Sequence, residues 1–142
     1  MKMPITYETL WSAIVTILVL ILYVVMGSRV GRMRGKHNVS APATTGHPEF
    51  ERAFRVHANT FEQLIIFLPL LWLATLLFHA IGWLPALFGL LFFFGRLIFM
   101  QRYMADPKTR GPGILIGVLS YAGLLIMTII GIVQAWMALS AT

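Results

Sequence analysis

The sequence predicts an all-α integral membrane protein, a four-transmembrane-helix up-down bundle, and three observations predict it. The 142 residues are 58% hydrophobic and only 11% charged, with a mean hydropathy of +0.82, more apolar surface than a water-soluble domain of this size needs. Four apolar segments, 5–26, 64–83, 84–100 and 113–139, each approach the roughly 20 residues that cross about 30 Å of hydrocarbon. All but one of the 11 basic residues flank either the first connection (Arg29, Arg32, Arg34, Lys36, Arg52, Arg55) or the third (Arg96, Arg102, Lys108, Arg110). A net charge of +6 divided in this way fits positive-inside insertion and not nucleic-acid binding, with both termini outside and both basic connections cytoplasmic. Four helices with short connections make one domain, 1–142, with no soluble appendage.

Helix 1 is expected over 5–34. Its positive charge follows the apolar run and no A-x-A-like cleavage site comes after it, so it reads as a retained helix and not a signal peptide. Gly27, Gly31 and Gly35 recur every four residues, which suits either close helix approach or a fraying end. Arg29, Arg32 and Arg34 are placed to anchor in headgroups. The following connection, 36–47, has Ser, Pro, Thr and Gly in the manner of an ordered loop, and Thr44, Thr45 or Gly46 can cap the next helix.

Helix 2 is expected over 48–78, with Pro48 in its first turn and Glu49 and Glu51 near the positive end of its dipole. At about 1.5 Å per residue it is about 46 Å long, so its first turns project beyond the hydrocarbon. Pro69 removes one hydrogen bond and should kink it. On a helical projection Arg52, Arg55, Asn59, Glu62 and Gln63 share an arc of roughly 100°. That stripe is either a solvated helix end or, because ionisable groups beside a bilayer usually face a cavity, partner or ligand, the wall of a site.

Helix 3, over 84–105, places Arg96, Phe99 and Tyr103 on one face and ends at Asp106-Pro107. Tyr103 is either an interfacial anchor or a ligand-binding group. Helix 4, over 113–139, follows Arg110, a cation set at the positive end of a helix dipole, an unfavourable placement unless an anion belongs there. Its Gly113, Gly117, Ser120, Gly123 and Gly131 permit tight packing within or between subunits. Trp11, Trp72, Trp83 and Trp136 fall toward the outer face as an aromatic belt.

There is no cysteine, so disulfides, thiolate metal sites and a protein-borne thiol nucleophile are excluded, and any sulfur chemistry arrives with a substrate. His57 and His79 on helix 2 are about 33 Å apart, too far to share a metal or a haem. No metal site is expected.

Four helices, paired basic connections, the run TTGHPEFERAFRVHANTFEQ (44–63) and the block GRLIFMQRYMADPKTRGPG (95–113) together resemble the MAPEG superfamily, the membrane-associated proteins in eicosanoid and glutathione metabolism. The pattern E-R-x-x-R-x-x-x-N-x-x-E, formed by Glu51, Arg52, Arg55, Asn59 and Glu62, carries the resemblance most specifically. It implies a glutathione transferase, with possible peroxidase activity, that conjugates the glutathione thiolate to lipophilic electrophiles or reduces lipid hydroperoxides, a detoxifying role. The resemblance puts glutathione, as co-substrate, on Arg52, Arg55, Asn59, Glu62 and Tyr103, with His57 and Gln63 touching it as in some members. Arg110 then stabilises the thiolate, and Arg34 reaches the tripeptide from a neighbouring subunit of a homotrimer. Phe54, Gln63 and Phe99 stand where some members carry tyrosine. The host would be the inner membrane of a bacterium or the endoplasmic reticulum of a eukaryote. The alternative is a non-catalytic lipid-binding membrane protein of the same fold.

Such a stripe matches glutathione chemically. Planar guanidinium groups hold carboxylates in bidentate fashion, Glu62 takes the ammonium, and the amides of Asn59 and Gln63 pair with peptide groups. A free thiol near pKa 8.5 is only a few per cent ionised near pH 7, and a partly desolvated arginine at a helix N-terminus lowers that pKa.

Overall fold

Thr6 opens the first helix with a reciprocal cap: its side-chain oxygen accepts from the Thr9 N–H at 3.4 Å, and Thr9 Oγ1 accepts from the Thr6 N–H at 3.0 Å. With the first two backbone donors so satisfied, α1 runs over Tyr7–Lys36. The computed structural model describes residues 5–141; the single-domain span 1–142 therefore includes ends, 1–4 and 142, that lie outside the described residues. Helix α1 starts two residues later than expected and continues through Gly31 and Gly35, so these glycines belong to an intact helix and not to a fraying end.

The cap of α2 (Pro48–Leu77) corrects the expected one. It is His47, not Thr44, Thr45 or Gly46, and its Nδ1 accepts from the Glu49 N–H at 3.2 Å. An imidazole lone pair serves as well as a hydroxyl, and Pro48 at the first helical position fixes the cap at the residue before it. Gly46, at φ +148°, allows the loop to enter, and a Cβ there would lie 3.1 Å from Val39. The helix assignment continues through Pro69 to Leu77.

Helix α3 (Leu84–Ala105) ends where Asp106 turns its carboxylate to the Lys108 N–H at 2.9 Å, starting a 3-10 turn over Pro107–Thr109. Helix α4 (Gly111–Ser140) follows directly, with Pro112 in its first turn. It begins two residues earlier than expected because Gly-Pro-Gly, read as a breaker, is compatible with a first turn whose N–H groups have no helical partner anyway.

These four helices, each long and apolar enough to cross a membrane, form the bundle. Helices α2 and α3 each pack against all three others, leaving α1 and α4 on opposite edges. The core is apolar and aromatic: Phe67 and Phe92 stack with ring centroids 3.8 Å apart, over Val15, Val19, Leu71 and Leu124. Ser12 and Thr75 share a buried 2.7 Å hydrogen bond between α1 and α2, and Ser120 donates to the Phe88 carbonyl at 2.5 Å between α4 and α3.

Small residues draw α4 onto α3 within the chain. A Cβ on Gly113 would sit 2.5 Å from the Phe99 backbone nitrogen, whereas Gly31 and Gly35 of α1 have no neighbour within 4 Å. The outward surfaces carry Ile14, Ile17, Ile21 and Val24 of α1 and Leu115, Leu119, Ile126 and Ile130 of α4. Apolar side chains turned out and polar ones turned in are the arrangement hydrocarbon selects.

Candidate functional site

The up-down order brings the end of α1, the start of α2, the end of α3 and the start of α4 to one end of the bundle, and the basic residues collect there. Arg52, Arg55 and Asn59, at spacings of three and four, hold one flank of α2. Tyr103, in the last turn of α3, and Arg110, the residue that caps α4, close on it from the other side.

The result is three adjoining cavities. The outer one, about 480 Å³, is lined by Thr44, Thr45, Pro48, Glu51, Arg52, Phe54, Arg55, Tyr103 and Pro107. The middle one, about 230 Å³, is lined by Arg55, Asn59, Phe99, Tyr103, Arg110 and Ile114, so it shares Arg55 and Tyr103 with the first. The inner one, about 90 Å³, is lined by Asn59, Gln63, Arg96, Ile114, Gly117, Val118 and Tyr121.

Electrostatically the middle cavity is positive. Arg110 has no side-chain cap to offer α4; its Nη1 donates to the Pro107 carbonyl at 3.2 Å and its Cζ lies 5.9 Å from the centre of the Tyr103 ring. The guanidinium and the positive end of the α4 dipole therefore act on the same space. Arg55 adds a second exposed guanidinium. In the outer cavity Arg52 has its Nε buried and without a hydrogen-bond partner. A groove with these donors accepts an anion bearing several oxygens, and an ionised sulfur near Arg110 is favoured over its protonated form.

Not every residue singled out in the sequence meets this groove within one chain. Arg52, Arg55, Asn59, Gln63, Tyr103 and Arg110 do, distributed from the outer cavity to the inner. Glu62 does not line it; it is exposed and reaches it through Asn59, whose Nδ2 donates to Glu62 Oε2 at 3.3 Å. His57 lies on another face of α2, stacked on Tyr23 of α1 at 4.3 Å and facing Gly27. Arg34 is turned away as well. Its Nη1 donates to the Val39 carbonyl at 3.2 Å, its guanidinium lies over Phe50, and it borders a separate hollow with Gly31, Gly35 and Asn38.

Arg96, which lines the inner cavity, and Thr60, which holds it, were missed in the sequence. Arg96 is 3% exposed, and its Nη2 donates to Asn59 Oδ1 at 3.0 Å and to Thr60 Oγ1 at 2.8 Å. The signal was available: an arginine in the middle of FFFGRLIFM has the same need for a partner in hydrocarbon that was argued for α2. Thr60 carried no such signal.

A possible metal cluster lies elsewhere, where His37, His47 and Glu49 bring one donor atom each within 4.8 Å of one another. Its wiring is that of a clamp. Glu49 Oε2 is held by Lys36 Nζ at 2.7 Å and His37 Nε2 at 2.9 Å, and the two imidazoles stack with centroids 3.5 Å apart and planes 10° from parallel. Parallel rings cannot both aim in-plane lone pairs at one ion, and the lone pair of His47 Nδ1 already caps α2. The cluster ties the end of α1 to the start of α2.

Comparison with known proteins adds a second line. Residues 12–130 match the MAPEG family. The chain is 38% identical over 125 residues to an uncharacterized protein, sll1147, of Synechocystis sp., covering 88% of this chain and 90% of that protein. It is 39% identical over 103 residues to leukotriene C4 synthase of Cavia porcellus, covering 72% and 67% of the two chains. It is 33% identical over 109 residues to microsomal glutathione S-transferase 2 of Homo sapiens, covering 77% and 73%.

Proposed function

This chain belongs to the MAPEG family, and on that premise we propose that it is a glutathione-dependent membrane transferase, with peroxidase activity, acting on lipophilic electrophiles and lipid hydroperoxides. The observation that carries the reading is one cavity lined jointly by Arg55, Asn59, Tyr103 and Arg110. The outer and middle cavities, about 480 and about 230 Å³, suit a tripeptide, since sites for small ligands measure about 300–1,000 Å³.

Arg52 and Arg55 hold the carboxylates of glutathione, the amide of Asn59 meets a peptide group, and Glu62 takes the ammonium at the rim. The thiol lies toward Arg110. There the guanidinium and the α4 dipole favour loss of its proton, with the Tyr103 hydroxyl as a hydrogen-bond donor to the sulfur. In conjugation the thiolate forms a bond to an electrophilic carbon, which releases its leaving group with the bonding pair or opens an epoxide. In the peroxidase reaction sulfur takes the terminal oxygen of the hydroperoxide, leaving an alcohol, and a second glutathione returns the sulfenic acid to disulfide and water. The apolar substrate enters from lipid.

We place the groove on the cytoplasmic side, where glutathione is abundant and where the basic connections belong. The assembly is taken to be a homotrimer in which Arg34, outside the groove of its own chain, serves a neighbour's site. Titrating glutathione into the detergent-purified protein, with ultraviolet absorbance of the thiolate as readout, tests the reading. Saturable thiolate signal and turnover of chlorodinitrobenzene or a lipid hydroperoxide are expected; absence of all three refutes it. Thiolate signal without turnover of any electrophile would favour the non-catalytic lipid-binding alternative.

A further inference from the structure

Arg96 lies in the apolar middle of α3, 3% exposed, with its guanidinium over the Phe99 ring at 4.1 Å. Among the described residues no carboxylate comes within ion-pair distance of it. Both of its hydrogen bonds leave from Nη2, to Asn59 Oδ1 at 3.0 Å and Thr60 Oγ1 at 2.8 Å, while Nε is buried without a partner. A charge kept dry and unpaired holds its few acceptors firmly.

The consequence falls on Asn59. An amide has one accepting end and one donating end, and its two flips are nearly equivalent unless neighbours decide. Arginine has no acceptor, so the flip that would point Nδ2 at Arg96 sets donor against donor. With Oδ1 committed to α3, Nδ2 turns the other way, donating one hydrogen to Glu62 Oε2 at 3.3 Å and keeping the second for a ligand.

We infer that Arg96 is a positioning residue that locks the Asn59 amide, and through it Glu62, so the groove presents a donor to a glutathione carbonyl and a carboxylate to its ammonium. The inference rests on the glutathione reading and assigns a role to a side chain that does not itself touch the tripeptide. The lock acts on affinity and not on ionisation of the thiol.

The test is a double-mutant cycle on purified protein in detergent: wild type, Arg96→Gln, Asn59→Ala and the pair, with glutathione Kd by calorimetry, thiolate absorbance against pH, and Tm. Arg96→Gln should weaken glutathione about tenfold, equivalent to about 1.4 kcal/mol, and raise KM for glutathione while leaving the thiolate titration midpoint unchanged. The pair should bind no more weakly than Asn59→Ala alone, because Arg96 acts through Asn59. Wild-type affinity in Arg96→Gln, losses that multiply in the pair, or a displaced midpoint would each overturn the inference. Should the glutamine variant fail to fold, Arg96→Lys keeps the charge without the planar fork; intermediate affinity is expected, and wild-type affinity at an unchanged Tm overturns the lock. A wild type that binds no glutathione refutes the function and this role together, and is told apart by that control alone.

Discussion

Replacing Arg110 by glutamine tests the chemistry most directly. The side chain is exposed and its hydrogen bond goes to the Pro107 carbonyl, so the fold should survive with little change in Tm. A thiolate seated about 6 Å from the guanidinium, comparable with the 5.9 Å between Arg110 Cζ and the Tyr103 ring centre, gains about 2.8 kcal/mol at an effective dielectric of about 20. That is about two pKa units, a ceiling because water screens an exposed cation. A thiol brought from about 8.5 to about 6.5 is about three-quarters ionised near pH 7, against about 3% without the guanidinium.

The resulting 25-fold or so difference in thiolate is partly offset, because the more basic sulfur of the variant is about six- to tenfold more nucleophilic at a Brønsted slope of about 0.4–0.5. The variant should therefore be only about two-and-a-half- to fourfold slower near pH 7, and should overtake the wild type above about pH 7.5–8. The sign follows from the cation: its removal raises the thiol pKa, so activity is lost at neutral pH and returns in alkali. The assay is kcat for chlorodinitrobenzene at saturating glutathione across the pH range. A constant loss at every pH, with the same inflection in both proteins, would refute the ionising role and leave Arg110 a binding residue.

Other outcomes follow from the packing. Gly113→Ala drives a methyl against the Phe99 backbone and should destabilise by about 1–3 kcal/mol or more, read as a fall in Tm. Gly31→Ala meets nothing within the chain, so it should be neutral or raise Tm through helix propensity, by up to about 1 kcal/mol; a fall in oligomer mass would instead place a partner against it. His47→Ala removes the cap of α2 and should lower stability by about 1 kcal/mol, with faster hydrogen exchange in the first turn as the local signature. Arg55→Lys, which loses the planar fork, should raise the Kd for glutathione while leaving the pH midpoint in place.

How much of this was legible depended on whether one helix or two were needed to see it. The polar stripe of α2 is a property of one helix, and Arg55, Asn59 and Gln63 do line the groove. Arg96, Phe99 and Tyr103 share a face as the period requires, with Phe99 and Tyr103 rings 5.3 Å apart. What that face meets is set by how α2 crosses α3, and no periodicity encodes the crossing. So the partnership of Arg96 with Asn59 and Thr60 was hidden, and Glu62, at the edge of the arc, turned outward. The cap of α2 was misassigned for a simpler reason: threonine and glycine are commoner caps than histidine, and frequency outweighed the adjacency of His47 to Pro48.

Helix α3 has 22 residues where its three companions have 30, so it falls short of them by about 12 Å. Its last turn carries Tyr103 into the outer cavity, beside Thr44, Thr45 and Pro48. On the proposed reading this shortfall is a landing between two phases. A water-borne tripeptide descends to it without entering oil, and an oily partner rises to it without leaving the bilayer.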